Sequence, residues 1–118
     1  MDGDVMTPMV VVHVNTSDRG VWGDVLRTVS NLLAESPAAK IEVVLQGPAV
    51  DMGRAHVSPV GVDLALLAAR DVAFLACSNS LKARAIPESE LLDHVGVVPS
   101  AIGEVIRAQQ EGMAYIKV

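Results

Sequence analysis

Cys77 is the single cysteine of the chain. It follows the apolar run Val72-Ala73-Phe74-Leu75-Ala76 and is succeeded at once by Ser78-Asn79-Ser80. A thiol there falls where a buried strand gives way to a turn and a helix. The thiolate is the nucleophilic form, and cations or helix N–H groups lower its pKa from about 8.5. No acid occurs between Asp71 and Glu88, while Lys82 and Arg84 do. Arg54 and His56 likewise lie in a stretch without acids between Asp51 and Asp63. Ser78, Asn79 and Ser80 are expected to cap a helix that points its amides at the sulfur. The bland alternative is a small buried hydrophobe, as free cysteines often are. A lone cysteine cannot close an internal disulfide, so sulfur chemistry needs a second molecule or a second copy.

The histidines divide by position. His13 lies among valines, where a hydrogen-bonded core residue is the commoner outcome, although it nears the end of its strand. His56 sits in a loop as a candidate cation or proton donor, with a solvated loop residue as the alternative. His94 is given no role. No two of these residues have metal-ligand spacing, so no metal is expected. Neither a dinucleotide fingerprint nor a phosphate-binding G-x-x-x-x-G-K-[ST] is present, and no cofactor is expected. A G-x-S-x-G elbow is missing as well. Thr16, Ser17 and Arg19 could hold a small anion or nucleotide, yet the run Asn15 to Gly20 reads more simply as a connection. Gln109, Gln110, Glu111 and Tyr115 fit a subunit contact or a helix end.

Short aliphatic runs alternate with helical periodicity. Met9 to Val14, Ile41 to Leu45, Asp71 to Ala76, Val95 to Val98 and Met113 to Val118 read as strands. Helices are expected over Val21 to Glu35, with Ser36-Pro37 stopping the first, over Val60 to Arg70, briefly over Ser78 to Arg84, and after Ser100 up to Gly112. Pro59 is expected in the first turn of its helix. Pro87 to Glu90 reads as another turn of helix. Strands separated by helices are parallel with right-handed crossovers. The segments after the strands, Cys77 to Arg84 among them, therefore converge on the edge where such sheets place their chemistry.

The 118 residues suffice for one domain with one core. Residues 1–7 are expected to be a tail and residues 8–118 the domain. Apolar residues make up 51% and aromatics only 3%, so Val, Leu, Ile, Ala and Met must build the core. Charged residues, at 19%, fall short of the usual share, which suggests surface hidden by self-association. A net charge of −5 argues against a nucleic-acid partner. The acidic start Met1-Asp2-Gly3-Asp4 differs from a secretory signal, and no run reaches the roughly 20 apolar residues of a membrane span. No membrane partner is expected, and the lone cysteine suits the reducing cytoplasm.

Five segments, in order, carry a resemblance: Val12-His13-Val14-Asn15; Val43-Val44-Leu45-Gln46-Gly47-Pro48; Val72 to Leu81 around Cys77; Val98-Pro99-Ser100-Ala101-Ile102-Gly103-Glu104; and Gln109 to Lys117. The chain resembles the DsrE/DsrF-like sulfur-relay family, which includes YchN-type proteins, over Met9 to Val118. The resemblance implies an α/β fold: a three-layer α/β/α domain with a five-stranded, mainly parallel sheet, assembled as a trimer or hexamer. It also implies that Cys77 carries a persulfide, taken from a donor protein and passed to an acceptor. Where relay subunits follow the cysteine with small residues and a charged pair, this chain has Ser78-Asn79-Ser80-Leu81. The expected function is that of a sulfur carrier or sulfurtransferase-like protein. In it Cys77 is the reacting group, supported by Ser78, Asn79, Ser80, Lys82, Arg84, His56 and His13. The competing expectations are an anion-binding module using Thr16, Ser17 and Arg19, and an oligomeric scaffold.

Overall fold

A computed structural model describes residues 7–118. Its strands are β1 (Met9–Val14), β2 (Lys40–Leu45), β3 (Ala73–Cys77), β4 (Val95–Val98) and β5 (Ala114–Lys117). Its helices are α1 (Arg19–Glu35), α2 (Gly61–Ala68), α3 (Ser78–Ala83) and α4 (Ala101–Gln110), with 3-10 turns over Gly47–Gly53 and Glu88–Glu90. The strands form one sheet in the order β4-β3-β2-β1-β5. Every pairing is parallel. Three crossovers step one way, from β1 through β2 and β3 to β4, and the last returns past them to set β5 beside β1. The expected α/β architecture is the observed one.

Period-two alternation assigns the two faces. Val10, Val12, Val14, Ile41, Val43, Leu45 and Phe74 pack with Trp22, Val25, Leu26 and Val29 of α1 and Leu64 and Leu67 of α2 in the main core. Val11, Val44 and Cys77 point to the opposite face, into a smaller cluster with Ala101, Val105 and Ala108 of α4 and Met113. β1 and β2 are apolar on nearly every residue because both their faces are covered. On the α4 side Leu75 and Val98 are half-buried and Gly96 is exposed, so α4 leaves the β3–β4 half of the sheet incompletely covered.

Several boundaries move for local reasons. α1 starts two residues before Val21 because the Asp18 carboxylate accepts a hydrogen bond from the Val21 N–H at 3.2 Å and caps the helix. β3 starts late because Asp71 adopts φ +68° in the preceding turn, and it runs one residue beyond Ala76, to Cys77. Pro59 stands outside α2, ahead of the capping residue Val60. Part of the expected loop after β2 winds into the Gly47–Gly53 turn, with buried Ala49, Val50 and Met52 filling the main core. Of the expected tail, residues 1–6 lie outside the described residues. Among the described residues no helix is long and apolar enough to cross a membrane.

Candidate functional site: the thiol at the sheet edge

Cys77 ends β3 and is itself the residue from which α3 starts. Ser78 therefore opens the helix rather than capping it. The side chain is 2% exposed. Burial pushes a thiol up, but here hydrogen bonds outweigh it and hold the Cys77 pKa below the ordinary value. The Ser80 hydroxyl contributes most, followed by the backbone N–H groups of Ser80, Ala101 and Asn79. The Ala101 N–H, the first of α4, donates to Sγ at 3.4 Å. Ser80 can donate to sulfur because its oxygen already accepts the Gly47 N–H at 2.8 Å. That leaves its one proton free to point at the thiol. Gly47 has φ +56°, and a Cβ there would lie 2.5 Å from Asn15 Oδ1. Only glycine fits this corner.

The expected cations do other work. Arg84 donates to both carboxylate oxygens of Asp51, at 3.2 and 3.3 Å, and to the Gly47 carbonyl. Arg54 bridges Asp51 at 3.1 Å and Glu90 at 2.7 Å. Burial would raise Asp51, but its bonds from Arg84 and Arg54 prevail and hold it below the usual carboxylate range. Lys82 is exposed in the last turn of α3. Neither Lys82 nor Arg84 is among the groups that lower the Cys77 pKa. The acid-free windows around them mislead because Asp51 pairs with Arg84 across 33 positions of sequence. His56 is exposed in its loop, and His94 is exposed ahead of β4. Polar neutral donors, not charges, form the surroundings of the sulfur.

His13 is buried, on the face that carries Val11. Its Nε2 bonds Gln46 Oε1 at 2.6 Å and its Nδ1 bonds the Tyr115 hydroxyl at 2.8 Å. Gln46 was not singled out by the sequence reading. The available signal was its place directly after a buried strand, on the edge that holds the thiol. Glu42 was missed too, although one acid inside Lys40-Ile41-Glu42-Val43-Val44-Leu45 is a visible anomaly. It is 6% exposed. Thr16 spends its hydroxyl on the Asp18 N–H at 3.1 Å and its carbonyl on Trp22 Nε1 at 2.8 Å, as a structural connection would. No group of three or more His, Cys, Asp or Glu that could hold a metal occurs among the described residues.

The fold that sets the thiol at this edge has known counterparts. Residues 10–118 match the DsrE/DsrF-like family. The chain belongs to the DsrE/DsrF-like family. Among solved structures, this DsrE/DsrF-like chain is similar to MTH1491, a protein of unknown function from Methanobacterium thermoautotrophicum. That likeness has 35% identity and a TM-score of 0.89, covering 94% of this chain and 99% of the other. The YchN protein of E. coli shares the fold at a TM-score of 0.80 and 18% identity, over 96% of this chain and 100% of its own. No curated protein matches the chain.

Proposed function

We propose that this protein is a sulfur carrier that holds a persulfide on Cys77. The observation that carries the reading is the Ala101 N–H donated to the buried Sγ at 3.4 Å, where neighbouring groups of Ser80 and Asn79 also hold the thiol pKa down without a charged partner. In the reaction, the Cys77 thiolate attacks the outer sulfur of a donor persulfide, R–S–SH. A new S–S bond forms on Cys77 as the donor's S–S bond breaks. The bonding electron pair leaves with the donor as R–S⁻, and the outer sulfur keeps its hydrogen. Transfer to an acceptor thiolate repeats the exchange in reverse roles. Family membership supports the reading. The carrier works in the cytoplasm, where thiols stay reduced, and both its donor and its acceptor are proteins bearing thiols.

We place this chemistry in a homo-oligomer, as a trimer or hexamer. Ile102 and Ile106 of α4, the helix on the thiol-bearing face of the sheet, are 52% and 50% exposed. Incubation with glutathione persulfide followed by mass spectrometry tests the carrier reading. The expected product is one added sulfur atom on Cys77, removed by dithiothreitol and absent from Cys77→Ser. A chain whose thiol alkylates yet never takes up sulfur would defeat it.

A further inference from the structure

The donors around Cys77 reach its own Sγ. In a persulfide the outer sulfur lies about 2.05 Å further on, and once its proton has gone to solvent it carries the negative charge. The next polar group along the sheet edge is Gln46. Leu45 pairs with Ala76 in the β2–β3 register. Gln46 remains extended, with φ −124° and ψ 150°, and its N–H continues the ladder to the Val14 carbonyl at 3.0 Å. The next pair across the two strands is therefore Gln46 and Cys77, on chains about 4.8 Å apart. Alternation from Val44 puts both on the α4 face, and the adjoining Gly47 N–H is tied to Ser80.

The orientation of the Gln46 amide is dictated from its other side. Oε1 can only accept, so His13 Nε2 carries the hydrogen in their 2.6 Å bond. With that proton on Nε2, the His13 Nδ1 accepts from the Tyr115 hydroxyl at 2.8 Å. Tyr115, on edge strand β5, is 40% exposed, whereas His13 is 3% exposed and fixed at both nitrogens. The chain Tyr115–His13–Gln46 consequently runs from the sheet's outer strand toward the thiol. It ends in the Gln46 NH₂, which has no partner among the described residues.

We propose that Gln46 is a ligand of the transferred sulfur: its amide N–H donates to the outer sulfur of the Cys77 persulfide. His13 and Tyr115 are the positioning residues that aim it. This deepens the carrier reading and rests on it. Three of the four side chains come from β1, β5 and the residue directly after β2, and the parallel topology alone brings them to one edge.

The experiment measures, for wild type and variants of the full chain, the rate of sulfur uptake from glutathione persulfide and the pH profile of alkylation of the unloaded thiol. Gln46→Ala is expected to slow uptake about tenfold, the worth of one hydrogen bond to a charged group. Its alkylation profile should stay where it is, because Gln46 addresses the outer sulfur and not Sγ. Gln46→Glu should slow uptake further through repulsion. Tyr115→Phe, at a half-exposed edge position, keeps the ring and loses only the hydroxyl, and a several-fold slowing is expected there. It serves as the test should Gln46→Ala fail to fold. If wild type loads and these variants load equally fast, Gln46 is merely the partner of His13 and this inference fails alone. If wild type never loads, the carrier reading fails with it.

Discussion

At the scale of single residues, the sulfur site is an arrangement of small neutral donors, and its behaviour should follow from each of them. Removing the Ser80 hydroxyl deletes the largest contribution that keeps the Cys77 pKa down. Ser80→Ala is therefore expected to move the alkylation profile to higher pH and to slow reaction with iodoacetamide at neutral pH several-fold. Wild-type kinetics in that variant would remove Ser80 from the site. Gly47→Ala acts one step back, since it forces a side chain into positive φ and against Asn15. A loss of about 1–3 kcal/mol is expected from denaturant unfolding, together with the Ser80→Ala reactivity change, because the Gly47 N–H orients Ser80. Cys77 itself was legible as the reactive candidate, since a unique thiol at the end of an apolar run is a local pattern. Its supporters were not. The sequence places Lys82 and Arg84 near it, but a chain position cannot reveal that Arg84 turns to Asp51. Ala101, 24 positions away, donates from a helix that only the parallel topology brings alongside.

At the scale of elements, α4 deserves the closest scrutiny, because its first N–H touches the thiol while its middle holds a buried acid. Glu42 of β2 is bound by Arg107 at 2.9 Å, and its other oxygen, Oε1, is buried without a partner. Arg107 also pairs with Glu104 and Glu111. Burial, and then the adjacent Glu104, push the Glu42 carboxyl from 4.5 up to about 7, while Arg107 opposes them. Glu104 moves the other way, mainly because Arg107 bonds it. A carboxyl raised on folding binds its proton more tightly in the native state. Its contribution is complete below pH 4.5 and fades as pH rises toward about 7. The expected decline is about 1–2 kcal/mol once screening and the opposing shift of Glu104 are allowed for. Glu42→Gln, which cannot ionise, should flatten that part of a stability-versus-pH curve measured by urea unfolding. An unchanged slope would show that Glu42 titrates normally. The element pattern was legible in the strands and longer helices because aliphatic runs and 3.6-residue stripes are local. α3 ends differently: Ala85 takes φ +54°, a conformation its own type does not announce. Ala85→Gly should relieve that strain and raise stability by about 0.5–1 kcal/mol in the same unfolding measurement.

The whole molecule is asymmetric in how it covers its sheet. One face carries α1 and α2 over a large core, and the other carries α4 over a small cluster. The exposed Ile102 and Ile106 lie four residues apart on one helix, so they share a face. Gly96 is exposed on β4, and Leu75 and Val98 beside it are only half-buried. A low charged fraction signalled spare apolar surface from composition alone, but only the fold shows that much of it gathers on the thiol-bearing side. A second copy seated there would cover the approach to Ala101 and Cys77, so assembly and sulfur uptake would be linked. If the proposed trimer or hexamer forms through this face, replacing Ile102 and Ile106 together by Glu is expected to convert it to monomer in size-exclusion chromatography with light scattering, because two charges would be desolvated per contact. The monomer should remain folded, since both side chains are solvent-facing in the single chain, and its thiol should alkylate faster than in the assembly. A wild-type chain that runs as a monomer would dismiss the assembly. An oligomer untouched by the double replacement would place its contacts elsewhere, with the exposed Val62 and Leu66 of α2 the next surface to test.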